Sequence, residues 1–283
     1  MSRATVQLSL QSRKVWIYSS VLDLIVGCGA WSLPLMILAY LLGTKSLFVA
    51  SVTFYALALF ANNPHYMATI YRAYRDSEDF YRYKLFTVYI TGLMLIIALL
   101  CHIAPSLFLW VFTLYVTWSP WHYAGQNFGL LMMFVRRNTD VSKTERNALY
   151  TAFLASYLIL FLSFHSGTSA DPNLISLGIP LAFAKIARIT LLVVSLYLSF
   201  YVFWKLVRRA SIASMIAPLT LISTQFIWFM LPTVLEISYG AEITQTSYSS
   251  GVLAFMHSAQ YLWITSYYAK REVERNGVYA STF

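Results

Sequence analysis

Residues 85–103 read LFTVYITGLMLIIALLCHI, nineteen positions without a formal charge. A helix rising 1.5 Å per residue covers the roughly 30 Å hydrocarbon core of a bilayer in about that length. Similar apolar runs recur on both sides of it, near 17–42, 46–71, 106–135, 147–165, 181–204, 212–236 and 248–269. The pattern predicts an all-α integral membrane protein, a single bundle of about eight transmembrane helices.

The charges follow the same division. The clusters Arg3/Arg13/Lys14, Arg72/Arg75/Arg82/Lys84, Arg136/Arg137/Lys143/Arg146, Lys205/Arg208/Arg209 and Lys270/Arg271/Arg275 occupy every second junction, whereas the alternate junctions hold little beyond Lys45, Lys185 and Arg188. The excess of Lys and Arg in cytoplasmic loops then places both termini in the cytoplasm. The outer connections are short: Gly43-Thr44-Lys45, Ala104-Pro105-Ser106, Gly167 to Pro180, and Ser238 to Ser247 with Glu242. None is long enough for a second domain, so residues 1–283 are expected to form one polytopic membrane domain. Arg3, Arg13 and Lys14 ahead of a long apolar run mimic a signal peptide, but no small-residue cleavage pattern follows, and the first run is taken as an anchor.

Composition narrows the function. Of 283 residues 59% are hydrophobic and 11% charged, against a charged share of roughly a quarter in soluble domains, and mean hydropathy is +0.62. A water-soluble enzyme is excluded. The formal charge of +9 is spread over the junctions, which argues for the lipid bilayer as partner and for no nucleic acid. Cys28 and Cys101 lie within apolar runs without CxxC or zinc spacing and read as buried side chains. Gly27-Cys28-Gly29-Ala30 reads as a small-residue patch where helices approach closely. A bacterial cytoplasmic (inner) membrane is the expected location.

Polar groups within the spans carry the chemistry, because lipid cannot solvate them. His102 and His165 close the outer ends of runs three and five, where water or head groups can satisfy them, and Glu236 and Glu242 are likewise expected to be solvated at the outer boundary. His65, His122 and His257 differ. They lie in Ala61-Asn62-Asn63-Pro64-His65-Tyr66-Met67, Trp118-Ser119-Pro120-Trp121-His122-Tyr123-Ala124-Gly125-Gln126-Asn127 and Phe255-Met256-His257-Ser258-Ala259-Gln260-Tyr261. Counted from the first cytoplasmic cation, His122 and His257 are each roughly 20 Å deep and His65 nearer 10 Å. His65 is expected to reach their level by helix tilt or by a break at Asn62-Asn63-Pro64, since proline removes a backbone donor.

Three converging imidazoles would bind a first-row metal, with iron, copper or zinc allowed. Gln126 and Tyr261, each four residues after a histidine, share its helical face and are the candidate catalytic side chains, as further ligands or orienting partners. Asp23 is a natural partner for an imidazole N–H or for Arg72, with Asn62 and Gln260 as further supports. Three alternatives remain at this point. The polar groups could be packing contacts worth of order 0.6 to 2 kcal/mol each. His122 and His257 could hold a b-type haem for electron transfer. The polar patch could belong to a transporter, or to an accessory subunit that binds a membrane-protein partner.

Pro64-His65, His122-Tyr123 with Gly125, and Phe255-Met256-His257-Ser258 resemble motifs of the Brp/Blh family of membrane β-carotene 15,15'-dioxygenases. Members of that family carry Pro-His-Gly early, His-Phe-Gly in the middle and His-Ser-x-x-His near the end. The resemblance implies Fe(II) at His65, His122 and His257 and cleavage of a polyene by dioxygen. Tyr66 replaces the glycine of the first motif and Tyr261 the second histidine of the last, so that Tyr261, Gln126 or water would complete the coordination. A hydrophobic small molecule would enter from the membrane, and the 21 Tyr, 19 Phe and 8 Trp residues could line its tunnel as well as form interfacial belts.

Overall fold

The structure, a computed structural model, describes residues 16–34, 44–169, 171–239 and 249–276. Arg3, Arg13, Lys14, Gly43 and Glu242 lie outside the described residues. Within them the chain is helical, apart from turns and an isolated bridge between Ser166 and Ile179. The helices are α1 (Thr44–Tyr74), α2 (Ser77–Arg82), α3 (Thr91–Ile103), α4 (Leu107–Asn138), α5 (Lys143–His165), α6 (Leu181–Arg209), α7 (Ile216–Tyr239) and α8 (Ala254–Asn276). A wide π-type segment, Leu85–Ile90, leads into α3, and another, Ser249–Leu253, leads into α8.

Among the described residues, four helical segments are long and apolar enough to cross a membrane: Leu85–Ile103, Lys143–His165, Leu181–Arg209 and Ile212–Ser238. Leu85–Ile103 is apolar all round and scarcely buried, with Leu95 and Leu99 more than 60% exposed, as lipid contact requires. On α6, Phe183, Ile186, Tyr197 and Phe200 present a similar apolar outer face. The long helices α1, α4 and α8 are not among the four. They carry His65, His122 and His257, and the polar patches around His122 and His257 lower the average apolarity of α4 and α8.

α5 is the hub of one half of the molecule, packing against α4, α6 and α7. Its Leu149, Phe153, Ile159 and Leu160 are buried. It starts with a reciprocal capping box between Ser142 and Glu145, which satisfies two backbone donors that helix geometry leaves unpaired. Two polar clamps tie the hub to its neighbours. Asn127 Nδ2 donates to Gln225 Oε1 at 2.7 Å, and Gln225 Nε2 donates to Ser156 Oγ at 2.8 Å, joining α4, α7 and α5. Arg188 Nη1 and Nη2 bond the Glu236 carboxylate at 2.5 and 2.8 Å, and Nη1 also reaches Ser163 Oγ. Glu236 is therefore an ion-pair partner rather than a freely solvated acid, because the Arg188 beside it is buried and would otherwise be uncompensated.

The first apolar run, expected to form a span over 17–42, is not a continuous helix. A helical turn at Ser20–Leu22 widens into a π-helix at Asp23–Gly27, and the chain then bends through Gly29, whose φ is +70°. The small residues at this bend do permit close approach. A Cβ on Gly27 would lie 2.6 Å from the Trp263 ring, and one on Gly29 would lie 2.8 Å from Trp228. Thr224 Oγ1 donates to the Cys28 carbonyl and Trp228 Nε1 to Ser32 Oγ, each at 2.7 Å, which pins the bend against α7.

Candidate metal centre

α1 and α8 pack side by side and run in the same direction. Their bonded pairs ascend together: Ser258 Oγ donates to Asn62 Oδ1, Thr69 Oγ1 donates to Tyr261 Oη at 2.9 Å, and Arg75 Nη1 donates to Glu272 Oε1 at 2.7 Å. α4 also runs parallel to α8. Gln126 Nε2 donates to the His257 carbonyl at 3.2 Å, and further along Phe134 stacks on Trp263 and Arg137 reaches Tyr267. α8 thus lies between the two helices that carry the other histidines.

This register brings the three rings into contact. The His257 centroid is 5.0 Å from that of His65 and 4.8 Å from that of His122. Two imidazoles bound to one ion with metal–nitrogen distances of about 2.1 Å and adjacent coordination positions have centroids about 4.6 to 5.3 Å apart. Tyr261 packs edge-on against His65 at 4.2 Å, and Tyr123 stacks on His257 at 4.4 Å. His257 is 2% exposed, and neither Nδ1 nor Nε2 has a hydrogen-bond partner; Nδ1 of the buried His65 also lacks one. Unpartnered polar atoms at such depth are costly unless something else satisfies them.

Among the described residues, no group of three or more His, Cys, Asp or Glu side chains stands with its donor atoms arranged to hold a metal ion. The rings touch, but coordination would require them to turn about χ2, a broad torsion for histidine. At His257 such a turn breaks no side-chain hydrogen bond. The donor set, three imidazoles with a phenol beside them, fits a first-row metal.

Helix α1 reaches this contact without the break expected at Asn62-Asn63-Pro64. It is continuous from Thr44 to Tyr74 with Pro64 inside it. The first cytoplasmic cations, Arg72 on α1 and Lys270 on α8, lie at different distances beyond their histidines, so they do not mark one common level. The Thr69–Tyr261 bond lies four residues beyond His65 on α1 and four beyond His257 on α8, so the two histidines are level.

The proposed supports divide. Asn62 binds Ser258 and so ties α1 to the residue after His257. Gln126 holds the His257 backbone carbonyl. Asp23 bonds neither an imidazole nor Arg72; it is buried and accepts from the backbone N–H groups of Ile17 and Tyr18, closing the turn before its own short helix. Gln260 points away from the histidines, its Nε2 donating to the Gly27 carbonyl at 3.1 Å. The cause is helical geometry: a residue three after His257 and one before Tyr261 faces the bend at Gly27. His102 is exposed, as its position at a helix end implies, whereas His165 is buried and its Nε2 is 3.0 Å from Thr117 Oγ1. An α4 side chain, rather than water, meets that nitrogen, while the buried Nδ1 has no partner among the described residues.

Thr69 and Tyr123 were not singled out among the site residues. Thr69 could have been found from its spacing of four from His65, which matches the spacing of Tyr261 from His257. Between α4 and α5 a cavity of about 130 Å3 opens beside His122, lined also by Gly125, Gln126, Tyr150 and Tyr157. A Cβ on Gly125 would meet nothing within 4 Å, so this wall of the cavity is bare backbone. Compared with protein-family models, characterised proteins and solved structures, the chain shows no significant match.

Proposed function

We propose that this chain is a membrane-embedded, metal-dependent oxygenase in which His65, His122 and His257 hold a non-haem iron and the substrate is a hydrophobic, isoprenoid-like molecule. The observation that carries this reading is the buried His257 ring, in contact with both other imidazoles and unpartnered at both nitrogens. Iron in such a site would supply the activation of dioxygen, which polyene cleavage needs and protein side chains cannot provide. The surrounding residues have separable tasks. Tyr123 restricts the His257 ring by stacking on it, Gln126 anchors the backbone of that residue, and Thr69 orients the Tyr261 phenol beside His65. The cavity beside His122 gives an apolar molecule a way in from the lipid side of α4 and α5. The resemblance to the Brp/Blh dioxygenases points to the same three histidines.

Ring spacing favours non-haem iron over a haem shared by His122 and His257. Axial imidazoles on opposite sides of one iron have centroids about 6.5 Å apart with a macrocycle between them, against the 4.8 Å found here. The parallel course of α1, α4 and α8 supports a bundle of eight spans with both termini cytoplasmic, since the second, fourth and eighth runs would all descend in one direction. The membrane proposed is the bacterial cytoplasmic one.

Elemental analysis of the purified protein beside a His65→Ala/His122→Ala/His257→Ala variant tests the reading. Near-stoichiometric iron in the wild type and its loss from a folded triple variant are expected. Equal metal content in both proteins would overturn it, and would favour a transporter or accessory subunit whose polar patch makes helix contacts.

A further inference from the structure

A cavity of about 950 Å3 lies away from the histidines between the end of α1, the short helix α2 and the last turns of α8. Four arginines line it, Arg72, Arg75, Arg82 and Arg271, together with Asp79, Glu272 and Glu274. These charges are not equivalent. Arg75 is neutralised by Asp76, Asp79 and Glu272, and Arg82 by Glu78 and Asp79. Arg72 and Arg271 form no ion pair with a carboxylate among the described residues; Arg271 only lies over the Tyr267 ring, 5.9 Å from its centroid. Two uncompensated guanidinium groups thus face one cavity from two helices, with Glu274 as the one lining acid outside the ion pairs given above.

The Arg75–Glu272 bond ties the segment just after α1 to the last turns of α8, the two stretches that also carry Arg72 and Arg271. Planar guanidinium groups match the oxygens of a phosphate through paired hydrogen bonds. The volume far exceeds what a phosphate group fills, and the rest of the wall includes Tyr71, Tyr83, Leu262 and Tyr268, which suit the organic part of an ester.

We infer that this cavity binds a phosphate monoester, with Arg72 and Arg271 holding the phosphate and the aromatic wall holding the organic group. The site is independent of the metal reading. Ordinary loop cations at a membrane boundary would attract any anionic surface without a defined pocket, and the test must separate the two.

Titration calorimetry on the full chain in neutral detergent does so, with dihexanoyl phosphatidic acid, glycerol 3-phosphate and dihexanoyl phosphatidylcholine as probes. Phosphatidic acid is expected to bind at least about tenfold more tightly than phosphatidylcholine, and Arg72→Gln/Arg271→Gln to weaken it about tenfold or more. Lys205→Gln/Arg208→Gln, which removes the same charge from α6, is expected to leave the affinity unchanged. Glycerol 3-phosphate binding within about threefold of phosphatidic acid would identify a soluble ester as the ligand, and binding more than threefold weaker a lipid head group; both uphold the site. Wild-type affinity in the Arg72/Arg271 variant, an equal loss in the Lys205/Arg208 variant, or no preference over phosphatidylcholine would overturn it.

Discussion

Thr69 Oγ1 donates a hydrogen bond to Tyr261 Oη at 2.9 Å, one helical turn beyond the contact between His65 and His257. The same hydroxyl lies 3.1 Å from the His65 carbonyl. Tyr261 packs edge-on against His65, so the bond fixes both the register of α1 against α8 and the position of the phenol. Supports of this kind, one step removed from a metal, contribute roughly 10- to 100-fold to affinity or activity. Thr69→Val removes the hydroxyl and keeps the shape. It is expected to lower iron retention against a competing chelator about tenfold, while Thr69→Ser retains it. Equal retention in Thr69→Val and wild type would remove Tyr261 from the site.

Gly125 offers a way to close the cavity beside His122 without disturbing the fold. Because a Cβ there meets nothing within 4 Å, Gly125→Leu is expected to melt within a few degrees of wild type; alanine-like helix propensity adds about 1 kcal/mol in its favour. A side chain of that size in the 130 Å3 space would exclude an apolar chain, and one misplaced methylene alone costs about 10- to 200-fold in selectivity. Polyene consumption by Gly125→Leu is therefore expected to fall at least about tenfold while iron content stays constant. Unchanged consumption would place the substrate path elsewhere.

The helices were legible in the sequence because long apolar runs mark them, and the runs from 46–71 onward correspond to the helical segments described. The first run was not, since its interruption depends on Gly27 and Gly29 meeting Trp263 and Trp228 from distant parts of the chain. His65, His122 and His257 stood out as ionisable groups at membrane depth, and their rings are in contact; that contact is a matter of position, and coordination is the proposal built on it. Asp23 and Gln260 illustrate what spacing alone cannot supply. Both are polar and deep, but which backbone group each would meet depended on the bend at residues 27–31, which no local pattern announced. Arg188 and Glu236 were seen only as boundary charges, because forty-eight residues separate them in sequence.

That pair yields a stability prediction. Arg188 is buried, donates two bonds to Glu236 and a third to Ser163, and joins α6 to α7 and α5. Removing one partner of a buried pair costs about 3 to 5 kcal/mol, because the other charge is left uncompensated. Glu236 is about one-third exposed, which places its removal at or below the lower end, about 3 kcal/mol. Glu236→Gln is expected to destabilise the bundle in detergent unfolding, and Arg188→Met/Glu236→Leu to be less damaging than the single change. If the double variant loses the sum of the losses of Arg188→Met and Glu236→Leu taken singly, the pair is not coupled.

Gly27 tests whether the bend in the first segment is held by shape. A Cβ at this position would stand 2.6 to 2.8 Å from three atoms of the Trp263 indole, closer than packed carbon atoms approach. Trp263 is 4% exposed and stacks on Phe134, so it has little room to withdraw. Overpacking of this sort costs about 1 to 3 kcal/mol, and Gly27→Ala is expected to lower stability by that amount. The clash falls on the outer ring of the indole, which phenylalanine lacks. Gly27→Ala/Trp263→Phe is therefore expected to recover part of the loss, although Trp263→Phe alone is destabilising. Additive losses in the double variant would show that Gly27 is needed for its backbone conformation rather than for the space it leaves to Trp263.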